Sequence, residues 1–512
     1  MKKLVSILFF FITILIIFFS SCNHVKKNKS HQQTSNESIE AGKKLSVQYC
    51  RSCHQLPAPS LLDAKSWENG VLPEMGPKLG IFSYGFKTYP SYRNDLSVDK
   101  NFYPSQPVMS LSDWQHIIDY YSSTSPDSLL PAKKNPPVEI NDKLFQPIKP
   151  LFLYNMPTVS FVKIADDQQV LMCDAMHRKL FVFNNALQQI DSLNTPGSVT
   201  DVIKDSDKLI ICNTGMLKPN NEKLGSILSV DINNNTHVDT LYKKLMRPVH
   251  ITAADINKDG KEDYVVCEFG NLAGALSWLE NKGNDKYEYH LIRAAPGAID
   301  AYITDYNHDG LPDIWALFAQ GDEGIFLFTN QGDGTFDAKQ VLQFPPSYGS
   351  SSFEFDDFNK DGFPDIVYTC GDNADYSRIL KPYHGVYIFL NDGKNNFTQK
   401  YFYPINGCYK AIAKDFDNDS DLDIAAISFF ADYKNEPEEG FVYLKNEGNF
   451  KFQSYSLPAA KDGRWLTMDA GDLDGDGKTD IILGNFSLGE EQIKPPVNWT
   501  EQPPFLILKN LQ

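Results

Sequence analysis

The stretch Cys50-Arg51-Ser52-Cys53-His54 carries the most pointed chemistry in the chain. Two thiols three residues apart on one helical turn can both reach the vinyl groups of one porphyrin. The histidine that follows then stands beneath the iron as an axial ligand. A redox dithiol, or half of a zinc site, would use the same cysteine spacing. A redox dithiol sits between a strand and a helix, however, whereas the run before this one, IEAGKKLSVQY, has a helical pattern. No second ligand pair for zinc lies nearby. The motif predicts one covalently attached haem c, held by Cys50 and Cys53 and ligated by His54.

A second pattern, D-x-[ND]-x-D-G-x-x-D followed by an apolar strand, begins at Asp255, Asp305, Asp357, Asp415 and Asp472, at spacings of 50, 52, 58 and 57 residues. Oxygens at positions 1, 3, 5, 7 and 9 of a tight loop can wrap a hard cation, and a demand for six to eight oxygens favours calcium over magnesium. The expected ligand sets are Asp255, Asn257, Asp259, the Lys261 carbonyl and Asp263; Asp305, Asn307, Asp309, the Leu311 carbonyl and Asp313; Asp357, Asn359, Asp361, the Phe363 carbonyl and Asp365; Asp415, Asp417, Asp419, the Asp421 carbonyl and Asp423; and Asp472, Asp474, Asp476, the Lys478 carbonyl and Asp480. Up to five calcium ions follow. The fourth copy has Ser420 where the others have glycine. Seventeen carboxylates at positions 1, 3, 5 and 9 equal the net charge of −17, so the acidity reads as a metal-site property. It also argues against a nucleic-acid partner.

Behind these groups stand several segments. Lys2 and Lys3, the almost unbroken apolar run Leu4–Phe19 and Ser20-Ser21-Cys22 form an export signal over residues 1–21, and a run of sixteen residues is short for a membrane span. Residues 22–38 are polar and without periodicity, a tether. Residues 39–125 hold the CxxCH motif and end in LSDWQHIIDYYSS, a helix expected to be capped by Ser112, with Trp114, Ile117, Ile118 and Tyr121 on one face and His116 turned to solvent. Residues 126–142 are proline-rich and read as a semi-rigid linker. From 143 to 512, short β-rich runs alternate with Gly/Asn/Asp turns. Two runs without the acidic loop (TVSFVKI onward, SVTDVIK onward) and five with it make seven blades of a β-propeller, with Phe145–Asn155 available to close the ring.

Ser-Ser-Cys resembles the bacterial lipobox, which implies lipidation of Cys22 and a lipid anchor to the cell envelope, on the periplasmic or surface side of the outer membrane. Residues 39–125 resemble small cytochromes c, which implies an all-α haem domain whose last helix packs across the first. For the sixth ligand, chain order in that family favours Met109, in QPVMSLS. The setting of Met75 in VLPEMGP, a turn between Pro73 and Pro77, and the resemblance to cytochrome modules attached to propellers favour Met75. The repeat region resembles FG-GAP/VCBS-type propellers, as in integrin α-subunit heads.

The remaining thiols, Cys173, Cys212, Cys267, Cys370 and Cys408, lie in or beside apolar runs and read as buried and unpaired. Opposite the acidic loops the connections are long, and His250, Asp300, Lys410 and Arg464 enter the inner strands, where they could converge on a funnel. The expected function is haem electron transfer to a redox partner protein, with the propeller binding a partner, a glycan or another envelope ligand. The alternative is a dehydrogenase that oxidises a small substrate in the funnel and passes electrons to its own haem, with His250 as base and Asp300 orienting it.

Overall fold

Runs such as DYVVCE (Asp263–Glu268) and DIVYTC (Asp365–Cys370) are buried at every position, the mark of a strand covered on both faces. Outer strands such as Gln189–Asn194 are mostly exposed. Repeating that radial gradient around an axis yields a ring of sheets. The computed structural model describes residues 34–205, 207–231, 237–374, 378–488 and 496–512; the expected signal, Cys22 and the tether up to residue 33 lie outside them. Among the described residues no helix is long and apolar enough to cross a membrane.

Seven sheets form the blades of an all-β propeller. Their innermost strands, labelled A, are Val159–Ile164, Ser198–Asp205, Pro248–Ala254, Ala298–Thr304, Ser350–Asp356, Cys408–Lys414 and Trp465–Gly471. Strands B, C and D follow outward. Blade 7 takes its outermost strand from the start of the region: Phe145–Ile148 pairs antiparallel with Phe505–Asn510. The ring is thereby closed by the first and last strands of the propeller region, as the position of Phe145 suggested. The core lies between blades. Between blades 6 and 7, Phe145, Phe416, Phe441 and Tyr443 pack edge to face. Cys173, Cys212, Cys267, Cys370 and Cys408 are all buried, and none is in a disulfide.

One feature was not legible as an element. Glu139–Ile140, within the stretch expected to be linker, adds a parallel fifth strand to blade 6. Tyr403 Oη and Ser454 Oγ donate to the Pro136 carbonyl at 2.8 and 3.2 Å, and Lys134 pairs with Glu436 and Glu439.

Contacts divide the chain into two units. The smaller comprises the described residues up to Cys50 with Ala58–Ser91 and Tyr103–Leu129; the larger comprises Arg51–Pro57, Tyr92–Phe102 and Leu130–Gln512. Within the smaller unit, helix α1 (Asn36–Tyr49) is capped by Ser35, whose hydroxyl accepts from Ser38 N–H, so helix begins inside the expected tether. Helix α2 (Leu72–Lys78) contains Met75: the proposed turn between Pro73 and Pro77 is helical. Pro73 sits in the first turn, where a missing N–H costs nothing. Helix α3 (Leu111–Thr124) is capped by Ser110, which accepts from Asp113 N–H, rather than by Ser112.

Helix α3 crosses α1 at Gly42. A Cβ there would stand 1.8 Å from the His116 carbonyl oxygen, so only glycine lets the backbones approach this closely. His116 is not turned to solvent: its Nδ1 lies 2.6 Å from Ser38 Oγ in the same crossing. Trp114, Ile117 and Tyr121 are buried, and Tyr121 packs on Trp67 at 4.3 Å between ring centres.

Candidate functional site

Cys50 forms the C-cap of α1, its N–H donating to Ser46 O at 2.9 Å. It is half-buried, Cys53 is exposed, and neither is in a disulfide. His54 Nδ1 lies 2.8 Å from the Gln55 carbonyl oxygen. A carbonyl can only accept, so Nδ1 carries the proton and the lone pair is on Nε2. That tautomer, fixed through the other ring nitrogen, is the one an imidazole needs to ligate a metal. The residues present fit a haem on these counts. Met75 is half-buried on α2, and Met109, 7% exposed, packs into the core.

The five acidic loops share one backbone. Each joins strand A to strand B, and each holds two left-handed residues, at positions 4 and 6: Lys258 and Gly260, His308 and Gly310, Lys360 and Gly362, Asn418 and Ser420, Gly475 and Gly477. Ser420 adopts φ +76°, the conformation glycine supplies elsewhere. The first carboxylate accepts backbone N–H groups from inside its own loop; in the second copy Asp305 takes Asp309 N at 3.1 Å and Gly310 N at 3.0 Å. The fold thus turns the oxygens of each loop inward. Candidate ligand atoms of Asp415, Asp417 and Asp419, and of Asp472, Asp474 and Asp476, lie within 4.8 Å of one another.

The ninth-position aspartate does more than the pattern indicated. Asp263, Asp313, Asp365, Asp423 and Asp480 each accept the N–H of the asparagine ending strand C (Asn281, Asn330, Asn391, Asn446 and Asn510) at 2.7–2.8 Å. These asparagines were visible as a recurring Asn-x-Gly in four copies and were missed. The second oxygen of this aspartate faces the N–H at position 2 of the loop, as Asp263 Oδ2 accepts Ile256 N–H at 3.1 Å and Asp365 Oδ2 accepts Phe358 N–H at 3.1 Å. Burial first, then the neighbouring loop carboxylates, push Asp365 up to about 6 and Asp423 to about 7. Lysines partly offset this charge: Lys445 reaches Asp417 at 2.7 Å, and Lys509 pairs with Asp474.

The inner strands present a third constellation. Each strand A is bulged near its start, and the residues just past the bulge are Phe161, Asp201, His250, Asp300, Ser352, Lys410 and Thr467. At this position or two residues on, every blade contributes one ionisable group: Lys163, Asp201, His250, Asp300, Glu354, Lys410 and Asp469. The carboxylates tie neighbouring blades together. Asp201 accepts Ile251 N–H at 3.1 Å, Glu354 accepts Ala413 N–H at 3.0 Å, Asp469 accepts Ile164 N–H at 2.8 Å, and Asp300 accepts Phe353 N–H. An innermost strand has no strand partner on its axial edge, and these side chains satisfy donors there.

His250 sits between two such acids, its Nδ1 2.8 Å from Asp201 Oδ2 and its Nε2 3.0 Å from the Ala301 carbonyl and 3.6 Å from Asp300. Both nitrogens face acceptors, so the ring is an imidazolium that donates twice. Burial opposes its charge, but Asp201 and then Asp300 outweigh that and raise its pKa to about 9. A base must have a free lone pair; His250 has none. Its orienting carboxylate is Asp201, which the sequence analysis did not single out. Lys410 is felt by Asp300, Glu354 and Asp469. Arg464 does not join this ring. It is 3% exposed, stacks on Phe429 at 3.7 Å and donates to the Phe429 and Leu488 carbonyls, because it precedes strand A instead of lying on it.

A pH dependence follows. His250 titrates higher folded than unfolded, so its stabilisation is complete below about pH 6.5 and is lost as pH rises through about 9. Glu354, raised by burial to about 8, pulls the same way, since ionising it costs more in the fold. Denaturant melts should show stability falling between pH 6.5 and 9, and His250→Gln should remove on the order of 2 kcal/mol of that fall. An equal slope in the variant would mean that the imidazolium is not held as described.

A family model for the FG-GAP-like repeat matches residues 255–316, 305–368 and 427–483. No curated protein sequence matches the chain. Among solved structures, virginiamycin B lyase from Staphylococcus aureus has 12% identity over 72% of this chain and 99% of its own, with a TM-score of 0.46. A streptogramin B lyase has 11% identity over 72% and 98%, also at 0.46, and the N-terminal domain of Nup159 has 12% over 73% and 96%, at 0.41. Likenesses this distant say nothing about activity. The chain carries FG-GAP-like repeats on a seven-bladed β-propeller.

Proposed function

We propose that the chain is a lipid-anchored c-type cytochrome that passes electrons to a redox partner protein, and that its propeller, stabilised by calcium in up to five loops, binds a partner or a glycan of the cell envelope. One observation carries the haem reading: the CxxCH motif with His54 Nδ1 committed to the Gln55 carbonyl, which leaves Nε2 for iron. Cys50 and Cys53 would hold the porphyrin by thioethers, and Met75, with Met109 as the alternative, would complete the axial pair. The haem supplies a one-electron couple; the protein holds it and sets its surroundings. Calcium is supported by the shared inward-turned loops and by the close gathering of Asp415, Asp417 and Asp419 and of Asp472, Asp474 and Asp476.

The dehydrogenase alternative needs a base, and His250 is already spent on Asp201 and Ala301. A screen of sugars, alcohols and envelope extracts is therefore expected to yield no saturable, substrate-driven reduction of the haem, while a small redox protein reduces it readily. Saturable reduction by a small organic substrate would overturn the electron-carrier reading.

A further inference from the structure

The outer strands of blade 3 hold a group that none of these readings uses. Glu280 on strand C (Ala275–Asn281) stands directly opposite Glu288 on strand D (Tyr287–Arg293), and His290 follows two residues along on the same face. Like charges facing each other across a ladder repel, so the arrangement calls for a cation between them. Ligand atoms of all three residues lie within 4.8 Å of one another, and His290 Nε2 is 2.7 Å from Glu280 Oε2.

Two contacts hold the donors in place. The His290 ring lies on Trp278, 4.5 Å between centroids and 27° from parallel, and Asn257 Nδ2 donates to Glu280 Oε1 at 3.0 Å. The position between the acids is taken by the chain's own cation: Lys282 Nζ lies 2.6 Å from Glu280 and 3.0 Å from Glu288. The Lys282 side chain is 43% exposed, so its ammonium can swing into water with only part of its stem to uncover.

We propose that Glu280, Glu288 and His290 form a site for a divalent ion of the zinc and copper class, and that Lys282 is its built-in competitor. One imidazole with two carboxylates is a donor set for such borderline ions, whereas the all-oxygen loops suit calcium. Exposure of Glu288 and His290 leaves a coordination position for water. The site stands apart from the haem reading and adjoins the first acidic loop through Asn257, so calcium is held saturating in the test.

The test uses untagged full-length protein with calcium kept saturating, titrated with zinc chloride by calorimetry and with copper(II) followed by electron paramagnetic resonance. One zinc is expected to bind saturably, at least about tenfold more weakly in His290→Ala and in Glu288→Gln. Copper should show the hyperfine signature of a single imidazole nitrogen, absent from His290→Ala. Lys282→Met is the discriminating variant: it should bind zinc several-fold more tightly, since it removes the competing ammonium. Thermal melts of the three variants check that each folds. Absence of saturable zinc binding, binding unchanged by His290→Ala, or affinity unchanged by Lys282→Met would each overturn the proposal.

Discussion

Replacement of both Cys50 and Cys53 by serine is expected to abolish covalent haem. Wild-type protein made with the c-type maturation machinery should keep its haem through denaturing electrophoresis, because a thioether survives conditions that disperse every non-covalent contact. The double variant should run colourless. Serine is close to isosteric, and the Cys50 N–H that closes α1 is a backbone group, so far-ultraviolet circular dichroism should retain the helical signal and separate lost attachment from lost fold. His54→Ala should keep the haem attached but change its spin state, since Nε2 is the ligand that the Gln55 contact leaves available. Met75→Ala should remove the thioether–iron charge-transfer band in the far red; if Met109→Ala removes it instead, the buried methionine is the ligand. Stoichiometric covalent haem in the double cysteine variant would sink the assignment.

Chelation of calcium is expected to have the second large effect. Each loop gathers three or four carboxylates, and burial together with those neighbours raises Asp365 and Asp423. An ion bound at a hundred times its dissociation constant stabilises by about 2.7 kcal/mol per site, so losing several ions should lower the melting temperature of the propeller by roughly 10 °C. The haem spectrum should not follow. Native mass spectrometry should count several calcium ions, five at most. The fourth loop gives an internal control: Ser420 occupies a glycine conformation, so Ser420→Gly should raise the melting temperature and tighten that site. A melt unmoved by chelator, with no metal in the mass spectrum, would make these loops ordinary turns.

Much of the propeller was legible because its repeat is dictated locally. An acidic loop needs aspartate and glycine at set positions, a doubly covered strand needs an unbroken apolar run, and both write themselves into sequence at blade spacing. Closure by Phe145 could be anticipated because a ring made from a linear chain must join its ends. Other features were hidden. The glycine at position 42 looks like any weak helix residue until the His116 carbonyl is found against it. Glu139–Ile140 is too short to declare itself a strand and owes its form to the edge of blade 6.

The inner ring divides the two kinds of knowledge most sharply. The sequence by itself determined that polar groups would enter the inner strands, that five loops would concentrate carboxylate, and that a CxxCH motif would follow a helix, since each depends on residue type and near-neighbour spacing. Only the tertiary structure decided that His250 bonds Asp201 of the preceding blade and Ala301 of the following one, that Arg464 stays off the ring, and that each inner carboxylate serves the next blade's backbone. Those partners lie about fifty residues or more apart. Which blade's donor meets which acid is set by ring closure and by a bulge in every inner strand, and neither is encoded within reach of the residues concerned.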